Sequence, residues 1–452
     1  MIDLRKGKKR IICSHGGRCP IALPFTISST PAQQYKKVDV ATDQIVRRRD
    51  PGDMAQKSAP PVKELPEFSL VVGGPLYQLL RRTYLSGIAL QFLRRRLVVL
   101  TALAWLPLLV LSIVEGTAWG TRVPLPFLHD IELHVRLLLA IPLLIFAEIA
   151  VHRRMHPVVM QFLERGLIPE SARAEFDAAI VSALRLRNSV MVEALLVALV
   201  YVVGVGILWR TQTVVDVSSW HGTAVNGTWR PTMAGWWLGC VSLPMFQFLL
   251  LRWYFRLCIW GRFLWKVSRI DLKLMPTHPD RCGGLSFLSY VCQAFAPLLL
   301  AQGAVLAGMM ADRIFFAGAT LPQFKAELIG LVIIMIFAVL GPLLVFTPRL
   351  AAVKRIGLFK YGALAQRYVR DYDYKWLRGG APPDEPFLGS ADIQSLADLS
   401  NSFEVVKDMK LVPFTLSTLV QLAVTTLLPL LPLVLTMISA EELIGRLVSI
   451  MF

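Results

Sequence analysis

Residues 94–115 read RRRLVVLTALAWLPLLVLSIVE: three arginines stop at an apolar run that meets no further charge until Glu115. A run of this length, near the roughly 20 residues that cross about 30 Å of hydrocarbon, reads as a transmembrane helix with a basic anchor. It must be helical, because lipid offers no partner to unpaired backbone groups.

Six further runs of the same kind follow: Val135 to Val151, Val190 to Trp209, Ala234 to Leu251, Val291 to Ala311, Leu328 to Thr347 and Val412 to Met437. The composition agrees, since a 452-residue chain that is 55% hydrophobic and 17% charged, with mean hydropathy +0.54, is too apolar for an ordinary soluble domain. The expected fold is all-α, a polytopic transmembrane helical bundle of about seven spans.

Counted by connecting segment, Lys and Arg number 18 before the first span, then 2, 6, 2, 7, 2 and 10, and 1 after the last. This alternation puts 41 of the 48 on one side, which the positive-inside rule assigns to the cytoplasm. The amino terminus is then cytoplasmic and the carboxyl terminus outside. The formal net charge of +17 is read as orienting the spans and facing anionic lipid headgroups, with no nucleic-acid partner.

Residues 1–66 form an expected disordered cytoplasmic tail, within which residues 1–53 read as an upstream extension ahead of Met54. Cys13, His15 and Cys19 lack the paired spacing of zinc modules, and the six cysteines carry no disulfide signal. Residues 67–452 form one transmembrane domain. Its interfacial helix covers 75–96, where Leu76, Leu79, Leu80, Leu85, Leu90 and Phe92 mix with arginines, and its cytoplasmic loops cover 152–189, 252–290 and 348–411.

Within the first loop, Pro169-Glu170-Ser171 starts a helix with Phe176, Ile180, Ala183 and Leu184 on one face. After the fourth span, Arg252, Arg256, Arg262, Lys266 and Arg269 interleave with Trp253, Tyr254, Trp260 and Trp265, a pattern read as an interfacial anchor for lipid. The largest loop changes sign from basic to acidic across Gly379-Gly380-Ala381-Pro382-Pro383, which suits folding back on itself or docking on a neighbour. Asn401 and Glu404 have capping-box spacing for a last helix. In the fifth span Gly303, Ala304, Ala307 and Gly308 signal close helix packing, within or between subunits. Pro429 and Pro432, following Thr425 and Thr426, predict a kinked or partly unwound last span.

Two constellations can carry chemistry. Glu148, His152 and His156 recur every four residues on one face near the cytoplasmic end of span two, and Glu193 sits at similar depth. A carboxylate and two imidazoles can bind a divalent metal, pass protons, or pair structurally with arginines. The loop Pro276-Thr277-His278-Pro279-Asp280-Arg281-Cys282-Gly283-Gly284-Leu285 brings His278 and Asp280 together, either around a ligand or as a rigid turn with Asp280 capping span five. No phosphate-loop, C-x-x-C or H-E-x-x-H spacing occurs.

This loop, the segment Gly389-Ser390-Ala391-Asp392-Ile393-Gln394-Ser395-Leu396-Ala397-Asp398-Leu399 and the proline-kinked last span together resemble a group of uncharacterised multi-pass bacterial membrane proteins, from about Leu70 onward. The resemblance implies a bacterial inner-membrane location and an all-helical bundle, and no activity. Three functions fit the residues. A channel or transporter for an ion or small solute would line its path with Glu148, Glu193, Gln302 and Gln421. A membrane-embedded enzyme would hold a metal with Glu148, His152 and His156, or use His278 and Asp280 as an acid-base pair. A scaffold or sensor would dock a second copy or a membrane-complex partner on its charged loops. Transport needs only the features already present, namely buried acids, polar span residues and a broken helix.

Overall fold

The computed structural model describes residues 68–82, 93–209, 219–225 and 228–435. The tail 1–66, the Cys13/His15/Cys19 group, the middle of the expected interfacial helix and the carboxyl-terminal segment lie outside the described residues.

Helix α1 is Pro75–Arg82 and α2 is Leu93–Val114. Helix α3 spans Ile131–Glu164, α4 Arg173–Arg187 and α5 Val190–Leu199, which continues as a π-helical stretch Val200–Trp209. A hairpin of β1 (Gly222–Val225) and β2 (Thr228–Pro231), paired antiparallel with Gly222 opposite Pro231, precedes α6 (Met233–Arg269). Helices α7 (Ser286–Ala317), α8 (Leu321–Leu377), α9 (Asp392–Lys407) and α10 (Leu416–Val434) complete the order.

Six of these, α2, α3, α6, α7, α8 and α10, are long and apolar enough to cross a membrane. A seventh span results if Glu170–Arg187 and Val190–Gly204, bent by 45°, count as one. The chain is therefore compatible with an integral membrane protein. Helix α7 is central, with 67% of its apolar window buried against 17% for α2, whose Val98, Leu106, Val110 and Val114 point outward.

Prolines stand at four of the places where these helices change pitch, though not at the π-helical stretch Val200–Trp209 of α5. Pro244 has no N–H for the Cys240 carbonyl; α6 widens to a π turn over Leu238–Ser242, and the Tyr201 hydroxyl donates to that carbonyl at 3.0 Å. The same logic places a π turn at Val135–Ala140 ahead of Pro142 and 3₁₀ turns at Gly341–Phe346 and Leu428–Leu430 around Pro342 and Pro429. In the last span the expected break takes the form of the 3₁₀ turn Leu428–Leu430. Its threonines act differently: Thr425 and Thr426 donate to the carbonyls of Gln421 and Leu422, one turn back, and not to those the prolines release.

The segments rich in Lys and Arg meet at one end of the bundle. Lys273 N–H donates to the Leu167 carbonyl, Lys410 N–H to that of Arg281, and Arg187 to the carbonyl of Ser69, so the amino-terminal segment and all three long connections converge there. The basic-poor segments meet at the other end. There Asp312 accepts from the N–H groups of Ile131 (3.0 Å) and Glu132 (2.9 Å), and Glu115 accepts from that of Met233 (2.6 Å), capping α3 and α6.

Three expectations are corrected. The segment 152–189 is not a loop from its first residue, because α3 runs on to Glu164. The segment 348–411 begins as helix, since α8 continues to Leu377, 57 residues in all; good helix formers carry it past the bilayer. Helix α9 starts at Asp392, not at Asn401, which lies inside it; a capping-box spacing means nothing once the helix has begun upstream. The basic and acidic halves of this connection do fold together, with Lys375 bonded to Glu385 (2.5 Å) and Asp392 (2.8 Å).

Candidate functional site

An apolar bundle tolerates a charge only when its partners are built in, and here several charges are buried side by side. Glu148 on α3 is 2% exposed; its Oε1 accepts from Arg256 Nη2 at 2.8 Å and lies 3.6 Å from Arg252 Nη1, while its Oε2 pairs with Arg96 Nη1. Arg252 reaches on to Glu193 Oε1 at 3.2 Å. Helices α2, α3, α5 and α6 are thus joined by one chain of ion pairs. The Arg256 guanidinium also stacks on Trp253, 4.6 Å from the ring centre.

A strap of the amino-terminal segment closes over this cluster. Phe68 packs on Phe263 with ring centres 4.8 Å apart, and Ser69, Leu70 and Val71 are buried. Ser69 Oγ bonds His152 Nδ1 at 2.9 Å and accepts from Val71 and Val72 N–H, while Leu76 N–H donates to Glu193 Oε2 at 2.7 Å. Gly74, at φ +90°, lies so close that a Cβ there would stand 3.2 Å from Glu193 Oε1 and 3.1 Å from the Arg187 carbonyl.

The expected site residues therefore divide. Glu148 and Glu193 come together through Arg252, and His152 joins them through the strap. His156 does not; its Nδ1 is buried without a hydrogen-bond partner. Gln302 donates to the Tyr254 hydroxyl at 2.6 Å, and Gln421 accepts from Gln293 at 3.3 Å, two separate pairs. Among the described residues no group of three His, Cys, Asp or Glu side chains is close enough to hold a metal ion. Glu148 meets guanidinium groups where the metal reading placed imidazoles.

Sequence reasoning missed the arginines. Arg252, Arg256, Trp253 and Trp260 read as an interfacial belt, but all are buried in protein, and the indole N–H of Trp253 donates to the Leu144 carbonyl. The signal that could have found them is Arg252 and Arg256, one turn apart in the middle of a 37-residue helix, facing an acid isolated in another apolar run. The arginine triplet splits likewise: Arg94 and Arg95 are exposed, and Arg96 turns inward.

The second constellation is a turn. His278 Nδ1 lies 2.9 Å from Asp280 Oδ1, whose carboxylate also accepts backbone N–H bonds from Cys282 (2.7 Å), Gly284 (3.1 Å) and Ser286 (3.1 Å), fixing the start of α7. Burial works against the charged form of Asp280, but those donors and His278 outweigh it and hold the carboxyl below its ordinary value. Burial, with the Asp280 charge beside it, pushes the Cys282 thiol up to about 12, far from a reactive thiolate.

A depressed carboxyl adds stability above its unfolded-state pKa, about 3.9, and loses it as pH falls through the lower folded value. Asp280→Asn is expected to cost about 1–3 kcal/mol at pH 7, with the difference fading as pH falls below the unfolded-state value of about 3.9 and through the lower folded one. Thermal unfolding in detergent at pH 7 and at successively lower pH checks this; equal melting temperatures at pH 7 would show that the turn does not depend on the carboxylate.

No protein family, curated protein or solved structure matches the chain.

Proposed function

We propose that the chain is a multi-pass membrane transporter or channel for a small solute, in a bacterial inner membrane with the basic end of the bundle in the cytoplasm. The observation that supports this most is the buried cluster of Arg96, Glu148, Glu193, Arg252 and Arg256. A bundle that served only to hold itself together would do as well with apolar contacts, because a buried ion-pair network recovers little of its desolvation cost. Charges kept inside membrane helices at such a cost mark solute and proton pathways. The pitch changes in α3, α5 and α6, three of the helices that carry the cluster, supply places where these helices can bend.

Reconstituted liposomes test this reading. Flux of protons or of a small anion across vesicles containing the protein is expected to fall at least tenfold in Glu193→Gln, with the melting temperature still showing a folded protein. Flux that stays at the level of empty vesicles across a panel of ions and small solutes, or that is unchanged by Glu148→Gln and Glu193→Gln, counts against transport.

A further inference from the structure

The cluster does not balance. Arg96, Arg252 and Arg256 face Glu148 and Glu193, which leaves one positive charge in surplus, and Arg187, whose guanidinium packs against Gly73 and donates to Ser69, supplies another at its rim. The arginines also act on one another as like charges: Arg252 feels Arg256 and Arg96, and Arg187 feels Arg256. No other carboxylate among the described residues forms an ion pair with them.

The unused hydrogen-bonding capacity lies at one atom group. Arg96 is 2% exposed and gives Nη1 to Glu148, but its Nε and Nη2 are buried with no hydrogen-bond partner. Those two nitrogens form one side edge of the guanidinium, and their parallel N–H bonds match two oxygens of a carboxylate or phosphate. Stranding such donors costs about 1–3 kcal/mol, more on a charged group, which a native site recovers by binding their complement.

From this edge and the surplus charge we propose that Arg96, supported by Arg252 and Arg256, binds a phosphate-type oxyanion, either free phosphate or the phosphate of a lipid headgroup. The surplus matches the one negative charge of a phosphodiester headgroup and, with Arg187, the two of hydrogen phosphate, and in either case the fork on Arg96 takes two of the phosphate oxygens. Glu148 holds Arg96 in place by its other edge, so the carboxylate positions the donor without competing for it. As a substrate site the cluster rests on the transport reading; as a binding site it stands apart from it.

Calorimetric titration of inorganic phosphate into the detergent-purified full-length protein tests the free anion. Lipid that stays bound after purification from vesicles of phosphatidylglycerol and phosphatidylcholine tests the headgroup. Wild-type protein is expected either to bind phosphate saturably, near one per chain, or to retain phosphatidylglycerol in preference to phosphatidylcholine. The first result identifies free phosphate as the source and the second a headgroup. Arg96→Lys, which keeps the charge beside Glu148 and lacks the fork, is expected to weaken whichever binding occurs at least tenfold while the protein still melts cooperatively. Arg94→Lys, at an exposed position, is expected to leave it unchanged. Neither phosphate binding nor phosphatidylglycerol retention by wild type, or equal binding by Arg96→Lys, overturns the proposal. Phosphate binding without flux into liposomes removes transport and leaves the site; solute flux without either binding removes the site and leaves transport.

Discussion

Glu148→Gln is expected to destabilise the protein by about 3–5 kcal/mol, the usual result of removing one partner from a buried ion pair. The side chain keeps its volume, so the loss is electrostatic: Arg96, Arg252 and Arg256 all point at one carboxylate, and the amide leaves their charges facing each other in a site almost closed to solvent. The effect is asymmetric. Removing Arg252 by Arg252→Gln still leaves Glu148 two partners, although Glu193 loses the guanidinium it pairs with among the described residues, so a smaller loss is expected. Because the damage is surplus positive charge, Glu148→Gln with Arg256→Gln should recover part of the stability that Glu148→Gln loses. Thermal unfolding in detergent of Glu148→Gln, Arg252→Gln, Arg256→Gln and the double variant is the measurement. Additive losses, with the double variant less stable than either single one, would mean that the charges do not act on one another and that the cluster is held by packing alone.

Much of the bundle was legible because lipid leaves one solution for a long apolar run. The start of α5 at Val190, the turn at Pro429, the helix after Pro169 and the meeting of the basic segments at one end all follow from length, proline chemistry and charge spacing, whereas α2 and α7 begin at Leu93 and Ser286, about one turn ahead of the apolar runs at Leu97 and Val291. Rotation of each helix about its axis was not legible. Arg252 and Arg256 sit among aromatic residues on a helix apolar on every side, so their neighbours in sequence do not tell a lipid-facing surface from a protein-facing one. Only the partner helices decide it, and the contact of Arg256 with Glu148 spans 108 residues. The same limit hid the strap. Residues 68–74 show neither helical nor strand period, and what holds them is Phe68 against Phe263 and Ser69 against His152, pairings that no local pattern announces.

Of the candidate constellations, the face shared by Glu148 and His152 survived translation into space while its metal reading gained no support, because a carboxylate flanked by imidazoles in sequence turned out to be flanked by guanidinium groups in the fold. His278 and Asp280 do lie together, and the backbone around them accounts for most of the carboxylate's bonding capacity, which favours the capping role over a ligand role.

Gly303→Val is expected to have an effect of similar size through sterics. A Cβ at Gly303 would overlap the carbonyl oxygen of Thr426 and crowd the Pro429 ring at 3.3 Å, so α7 and α10 cross at a separation that only glycine permits. The obstacle is backbone in a helix that tightens to 3₁₀ at Leu428–Leu430, and it cannot rotate away as a side chain would. Gly308 meets α3 instead, with Glu132 Cα 3.0 Å from a Cβ placed there, so the small-residue stripe serves two helices of the same chain rather than one partner subunit. Overpacking of this kind costs about 1–3 kcal/mol where neighbours can yield, and more where they cannot. Valine should lie at the upper end, and alanine at the same site should already be destabilising. Gly330 on α8 provides the control: nothing lies within 4 Å of its would-be Cβ, so Gly330→Ala should be neutral or stabilising by up to about 1 kcal/mol from helix propensity alone. Limited proteolysis of the connection 408–415 adds a local readout, since α10 prised from α7 should expose it in Gly303→Val and not in Gly330→Ala. Equal melting temperatures and cleavage rates for the two variants would show that α7 and α10 do not pack at the distance described.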